Sequence, residues 1–452
     1  MLWMLACKAI DPESPAADPN THVLVVGAGM SGLTTARILH DAGVKVTVIE
    51  ARDRVGGRTW TAEVGPATVD LGAAWLHGVI KNPVADFADA QGLSYTPDQT
   101  RWKLLYDAGE GRALGDAGWR TMEEHSSAFE AALPRLKREL GDVTLQEARE
   151  VWMEEEGLTG QEKRLAAHAI DQWMVELSYS SPINRQGLAW FWDEPELKGG
   201  DQFPTGGYGA YVDRLASGLD IHLNRPATKI RIEEDGAEVE TAAETFTGSH
   251  VVVTVPIGVL RKGSITFDPP LPSARTEALQ RLDTGNLEKV VLVWEEKWWD
   301  GSLEYVDANG EGVFPEFYDL TELAGAPVLV GLYGGRFSRA QQANPSDEAI
   351  VNGALSVLAT AYSRSIPSPS HSTVTRWTTD PYSLGSYVYL PPGATPEDIE
   401  LIGTPIGDRL FFAGEGTEPD YYGNVHAAVL SGIREAHRLG VEKIPVAGWE
   451  GW

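Results

Sequence analysis

The sequence predicts an α/β protein in two parts, a nucleotide-binding domain assembled from separated stretches of chain and an α+β domain inserted between them. Three observations carry that prediction. A strand, a glycine turn, a helix and a second strand follow one another near the start, within the roughly 30 residues of a βαβ unit. Another short strand runs into a glycine turn and a helix near the other end. Between them lies a charged, helix-rich stretch with no glycine turn. At 452 residues the chain also exceeds what one hydrophobic core usually serves.

The elements read in order as follows. His22–Val26 is a short apolar run with β-branched residues, the pattern of a buried strand. Gly27-Ala28-Gly29-Met30-Ser31-Gly32 is a G-x-G-x-x-G turn, Leu33–Ala42 carries good helix formers, and Val44–Glu50 is a second strand. Gly27 permits the tight turn, Gly29 the approach of a pyrophosphate, and Gly32 close helix–strand packing. The helix N-terminus then aims N–H groups at phosphate. Glu50 stands 18 residues beyond Gly32 (50 minus 32), where a carboxylate can accept hydrogen bonds from ribose hydroxyls. This is a Rossmann-like dinucleotide site, and the motif alone does not separate NAD from FAD. In the stretch Glu50 to Arg58, Arg52 and Arg58 can pair with phosphate while Gly56 and Gly57 let the backbone approach it. A solvated charged loop explains the charges but not the adjacent glycines.

From about Gly118 to Leu177 the apolar residues Leu133, Leu136, Leu140, Leu165 and Ile170 recur at helical intervals. His222–Glu240, Thr245–Val255 and Val290–Trp294 are strand-like, and Ala349–Tyr362 reads as a helix. Leu410–Ala413 is a strand leading into Gly414, and Asn424–Leu439 is a closing helix. Residues 21–80, 204–284 and 395–445 are assigned to the cofactor domain, and 81–203 and 285–394 to the substrate domain. Residues 1–20, rich in Pro, Asp and Ala toward their end, are expected to form a disordered leader.

Composition narrows the function classes. The formal charge of -28 argues against a basic footprint for nucleic acid, and such a surface can steer a cation, although solubility is the plainer reading. Fifteen Trp and 48 Gly suit a large flat ligand approached closely by backbone. Cys7 is the one cysteine, so an intrachain disulfide and a cysteine-ligated metal are excluded, and no metal centre is expected. A cytoplasmic setting is expected. Export stays open because the start is ambiguous: Lys8 follows the apolar run of Met1–Ile10, the wrong order for a signal peptide. No apolar run reaches the roughly 18 residues of a membrane span.

Taken with four further stretches, the Gly56-Gly57-Arg58 turn resembles the flavin-containing amine oxidase family, over about His22 to Leu439. The likeness is to polyamine and spermine oxidases, and also to monoamine oxidases and lysine-specific histone demethylases. It implies a discontinuous Rossmann-like FAD-binding domain with an inserted α+β substrate-binding domain. Asp70 to Gly78 looks like the segment passing the flavin ring, with Gly72, Ala73 and Trp75 against the cofactor and His77 where spermine-type oxidases carry an active-site histidine; a histidine bonded within its loop is an equal reading. Gly285 to Leu292 resembles the strand bearing the flavin-facing lysine, here Lys289; burying an ammonium is costly, which makes its place in an apolar strand unusual. Thr375-Arg376-Trp377 and Gly385-Ser386-Tyr387 look like the wall beside the flavin, with Trp377 on the cofactor and Tyr387 on one side of the amine slot. Ser386 stands where monoamine oxidases carry a flavin-linking cysteine, which implies non-covalent FAD. Phe411 to Gly416 and Tyr422 to His426 resemble the second flavin fingerprint, bringing Gly414, Glu415 and Val425 to the cofactor and Asn424 to the substrate. Around Glu176 a looser likeness suggests a carboxylate for a distal ammonium; a solvent-facing helix glutamate is at least as plain a reading.

The resemblance implies oxidation of an amine C–N bond to an iminium, hydrolysis to a carbonyl and a smaller amine, and return of electrons to O2 as hydrogen peroxide. A polyamine is the first choice of substrate. A primary monoamine, a cyclic amine or an L-amino acid stays open, as do two other classes, a carbon–carbon desaturase and a non-catalytic FAD-binding protein. Chromatin work is not expected, because the added domains of the demethylases find no room in the chain.

Overall fold

The computed structural model describes residues 21–341 and 346–452. The expected leader and Cys7 lie outside them.

Five parallel strands form the nucleotide-side sheet, in the order Leu410–Phe412, His250–Val253, His22–Val26, Lys45–Ile49, Ile221–His222. They come from widely separated stretches of chain and are short, and all but the two-residue edge strand Ile221–His222 are mostly apolar. Val23, Leu24, Val25, Val251 and Val252 are fully buried, as expected where both faces of a parallel sheet are covered. The first helix starts at Met30, earlier than the helix-former pattern suggests, because Gly29 already takes the extended N-cap conformation. Gly32 thus sits in the first turn, where a Cβ would come within 2.0 Å of the Gly27 carbonyl oxygen; only glycine permits this approach. That helix, Met30–Asp41, packs on the last one, Val425–Arg438, through Gly432. Glu50 falls one residue past its strand. A four-stranded sheet of residues between Ala227 and Asp268 lies alongside.

The second large sheet has seven strands, ordered His371–Val374, Glu288–Val293, Val328–Tyr333, Glu316–Asp319, Ser302–Val306, Trp102–Asp107, Arg112–Leu114. Alternation divides its residues between two cores. Val290, Leu292, Phe317 and Tyr333 pack toward the helix Asp347–Ala361, whereas Val291, Val293, Val330 and Leu332 pack toward Val64 and Val69. Three helices, Asp116–Leu140, Leu145–Glu155 and Gly160–His168, form a further layer around Phe129, Trp152 and Ile170. The third continues into a π-helix, Ala169–Glu176. Among the described residues no helix is long and apolar enough to cross a membrane.

Candidate active site

A cavity of about 1130 Å³ lies between the carboxyl ends of the parallel strands and one face of the seven-stranded sheet. Crevices at the carboxyl ends of α/β sheets are where such folds take their ligands.

One half of the cavity is lined by Gly27, Gly29, Glu50, Arg52, Gly57, Arg58, Gly414 and Glu415. Gly57, at φ +61°, stacks on Gly29 so closely that a Cβ would lie 3.2 Å from the Gly29 Cα. The neighbouring Gly56 N–H donates to the Ala28 carbonyl at 2.8 Å, which ties the two glycine turns into one floor. Glu50 is fixed by backbone N–H groups, Ala28 onto Oε2 at 2.7 Å and Arg52 onto Oε1 at 2.8 Å. Each oxygen keeps a lone pair for a ribose hydroxyl. Arg58 donates to the Ser386 carbonyl at 2.6 Å and to Glu415 Oε1 at 3.0 Å, and Glu415 Oε2 accepts from the Gly423 N–H at 3.0 Å. The helix beginning at Val425 has Asn424 as its N-cap with no side-chain cap hydrogen bond, so its first N–H groups stay available to an anion. Arg52 departs from the expectation of a phosphate partner. Its guanidinium is taken by Asp380 at 2.6 Å and Ser383 at 2.7 Å, and it holds the 380–383 turn over the groove. Backbone floor, ribose acid, free helix end and volume together fit a dinucleotide cofactor.

The other half holds Lys289, 7% exposed, on the strand next to the edge of the seven-stranded sheet. Its Nζ donates to the carbonyl oxygens of Asp70 at 2.8 Å and Gly72 at 2.7 Å and stands 5.8 Å from the Trp75 ring. Burial pulls its pKa down to about 8, partly offset by the Asp70 carboxylate. Gly72 fits only as glycine, a Cβ there falling 1.7 Å from the Arg58 carbonyl oxygen, and the Ala73 N–H donates to that same oxygen at 3.1 Å. Trp377 Nε1 donates to the Leu71 carbonyl at 3.1 Å, which pins the wall to this segment. The Tyr387 hydroxyl donates to the Leu177 carbonyl at 3.0 Å, and its ring lies against Gly423, where a Cβ would be 3.2 Å from Cδ2. Asn424 lines the cavity beside it, with Nδ2 donating to the Tyr421 and Tyr422 carbonyls, each at 3.3 Å. Ser386 Oγ accepts from the Leu287 N–H at 3.0 Å.

Of two further expected residues, one stands at the rim of the cavity and the other behind its wall. His77 borders the cavity at its rim, with a side chain 54% exposed and Nδ1 3.2 Å from Asp201. The buried histidine is instead His426, whose Nε2 lacks a partner and whose pKa is pushed down to about 3 by burial and then by His77. It stood in the second fingerprint stretch, but nothing in its sequence context marked it. Glu176 does not reach the cavity. It is fully buried behind the wall and bonded to Gln172 at 3.1 Å and Arg336 at 3.3 Å. Its carboxyl is raised to about 7 by burial first and by Asp171 second. Both the distal-ammonium reading and the solvent-facing one are therefore corrected to a structural role.

Sequence reasoning missed the residues at the far end of this half: Glu304, Glu316, Trp102, Trp173 and Tyr318. Their signal was period-2 alternation, as in Glu316-Phe317-Tyr318, but alternation cannot tell a solvent face from a cavity face. Among the described residues no group of three or more His, Cys, Asp or Glu could hold a metal.

Comparison with known proteins agrees with this geometry. Residues 30–440 match the family described as flavin containing amine oxidoreductase. A lysine-specific histone demethylase 1 homolog 1 of Oryza sativa subsp. japonica is 32% identical, covering 95% of this chain and 54% of the relative. Lysine-specific histone demethylase 2 of Homo sapiens is 31% identical, covering 93% and 53%. The chain thus spans about half the length of these relatives. Polyamine oxidase 2 of Arabidopsis thaliana is 33% identical, covering 92% of this chain and 87% of the relative. A putrescine oxidase redesigned in its cofactor binding superposes with a TM-score of 0.75 at 23% identity, covering 93% of this chain and 98% of that one, a likeness of fold.

Proposed function

Because this chain belongs to the family of flavin-containing amine oxidoreductases and takes FAD as its cofactor, we propose that it oxidises an amine at the carbon beside the nitrogen, yielding a carbonyl, a smaller amine and hydrogen peroxide, with polyamines as substrates. The bound flavin supplies the two-electron acceptor and its reoxidation by O2. The observation that carries this reading is the buried Lys289 facing the cavity from an apolar strand. Two of its N–H groups are held by carbonyl oxygens. In the ammonium form the third N–H faces the cavity, and in the neutral form the lone pair does. With a pKa of about 8 both forms are populated near neutrality, so Lys289 can hold and exchange a proton with water or with the incoming amine. Tyr387 and Trp377, each fixed by a hydrogen bond to a carbonyl, form a stiff wall that orients the substrate and excludes water.

Several observations favour polyamines. One relative, matched over 92% of this chain and 87% of its own length, is a polyamine oxidase. The amine half is lined by Asp98, Glu123, Glu304 and Glu316, and its one lysine or arginine among the described residues is Lys289. The arginines on the cavity, Arg52, Arg58 and Arg225, belong to the nucleotide half, so a bidentate partner for an amino-acid carboxylate is missing there. The flavin is held without a covalent bond: among the described residues there is no cysteine to form a thioether, and Ser386 occupies the wall. Acid precipitation then releases yellow flavin into the supernatant.

The test is anaerobic titration of the purified protein with spermine, spermidine, putrescine and benzylamine, followed by peroxide detection in air. Bleaching of the flavin band by a polyamine supports the reading. No bleaching by any amine overturns it, and bleaching by a polyene precursor alone points to a desaturase.

A further inference from the structure

Outside the cavity, three arginines from separate stretches of chain close on one carboxylate. Arg185 comes from the turn after Pro182, Arg261 from the helix Ile257–Lys262 and Arg339 from the helix Gly335–Gln341. The carboxylate is Asp283, in the short strand Asp283–Thr284. Arg185 Nη2 donates to Asp283 Oδ2 at 2.8 Å, Arg261 Nη1 donates to Oδ1, and Arg339 Nη2 stands 3.5 Å from Oδ2. The Tyr389 hydroxyl donates to Oδ2 at 2.8 Å and accepts from Arg185 Nε at 3.3 Å and Arg339 Nη2 at 3.4 Å. Burial pushes the Asp283 carboxyl up, but Arg261 first and Tyr389 next outweigh it and hold the group below the usual carboxylate range, so it is ionised.

The cluster is unbalanced in charge and in hydrogen bonds. Guanidinium groups carry their charge throughout the physiological range. Three of them against one carboxylate leave a surplus of two positive charges (3 minus 1), and among the described residues none of the three pairs with any other acid. Arg339 Nε is buried without an acceptor, and Arg261 Nε and Nη2, Arg185 Nη1 and Arg339 Nη1 meet no acceptor among the described residues. The side chains of Arg185, Arg261 and Arg339 are 49%, 26% and 33% exposed, so a solute reaches them. In a chain of formal charge -28 this surplus runs against the trend. Salt screens charges beyond about 8 Å, so the local surplus decides what binds here. Planar forks with donors to spare match the oxygens of a phosphate group, which brings about two negative charges at once.

None of the four residues borders the cavity, so the phosphates of FAD, which belong over the glycine floor, are not what the arginines hold. The cluster backs on the amine slot. Asp283 pairs with Tyr389 across a two-stranded ladder, and beyond it the Gly285 N–H donates to the Tyr387 carbonyl at 2.7 Å.

We propose that Arg185, Arg261 and Arg339 form a binding site for a small phosphate-bearing anion, separate from the cofactor and behind the wall of the slot. The proposal goes beyond the amine-oxidase reading and does not depend on it.

The test uses the FAD-loaded protein, so that the glycine floor is filled, in a buffer free of phosphate and sulfate. Calorimetry measures binding of inorganic phosphate, pyrophosphate and ADP to wild type and to the Arg185→Gln and Arg261→Gln variants, with flavin content and melting temperature as the check on folding. Wild type is expected to bind about one equivalent of pyrophosphate, and each variant to bind it at least about tenfold more weakly. Tighter binding of ADP than of pyrophosphate makes the occupant a nucleotide, and the reverse order makes it a free phosphate; both support the site. No saturable binding to wild type overturns the proposal, as does binding that both variants leave unchanged. Melting gives a second measurement. At fixed ionic strength, exchange of chloride for phosphate should raise the melting temperature of wild type more than that of Arg185→Gln, whose parent side chain is half exposed. Equal rises refute the site.

Discussion

Glu288 and the pair Glu304–Glu316 are buried carboxylates on one sheet, and their surroundings are opposite. Glu288 points away from the cavity and accepts four hydrogen bonds, from the Thr375 hydroxyl at 2.6 Å and from the Trp377 N–H, the Thr378 N–H and the Thr378 hydroxyl at 3.0 Å each. It anchors the loop that carries Trp377. Across the sheet, Glu304 leaves an oxygen without a partner and Glu316 stands opposite it, and burial raises both carboxyls well above the usual carboxylate range. A carboxylate whose lone pairs are filled by its own chain serves the fold. One left partly unfilled in a buried place is driven toward its neutral form.

The sharpest way to break this contrast is Glu288→Ala, which strands four donors in the interior. A loss of about 3 kcal/mol or more is expected in denaturant unfolding, with Trp377 released from its place. Stability within about 0.5 kcal/mol of wild type would show that Glu288 is not the anchor. Next in size is Lys289→Met, at the neighbouring position on the opposite face. Turnover should fall about a hundredfold with flavin still bound, and unchanged kinetics would remove the lysine from the mechanism.

A third measurement follows from the sign of the Lys289 shift. Its folded-state pKa, about 8, lies below the ordinary 10.5, so between these values the unfolded chain binds more protons. Stability from this group therefore rises with pH through that window, by about 2 kcal/mol between pH 8 and 9.5. Unfolding of wild type against Lys289→Met across that range should show the slope in wild type alone. Glu316→Gln is expected to change stability by less than about 1 kcal/mol near neutrality, because burial raises the Glu316 carboxyl well above the usual carboxylate range and the amide replaces a neutral group of the same shape. A large loss would place Glu316 in the same class as Glu288. The smallest effect belongs to His77→Ala. On the rim and half exposed, it should alter steady-state constants less than about threefold, and a collapse in kcat would return it to the centre of the site.

Much of the nucleotide half was legible in the sequence because its determinants are local. A glycine turn after an apolar strand announces itself in six consecutive residues, and Gly56, Gly57 and Gly414 do the same through backbone conformations only glycine adopts easily. Lys289 was legible for a related reason, as a charge inside an otherwise apolar run. The amine half was less so. Glu304 and Glu316 meet only when two strands pair, and each alone reads like an outward-facing strand residue. Glu176 was assigned to substrate through a loose likeness alone, and the π-helix Ala169–Glu176, which widens the turn and shifts its later side chains around the axis, leaves no mark in the sequence. The bond that Arg52 makes to Asp380 was not legible because the two residues lie 328 apart in sequence.

The register from Lys289 through Leu332 and Glu316 to Glu304 has a consequence for how this wall can be rebuilt. Hydrogen bonding fixes the strand spacing and the pleat fixes the rise, so a side chain transplanted on this face shifts by nearly 5 Å across the sheet or by roughly 7 Å along a strand. Finer adjustment has to come from side-chain length alone.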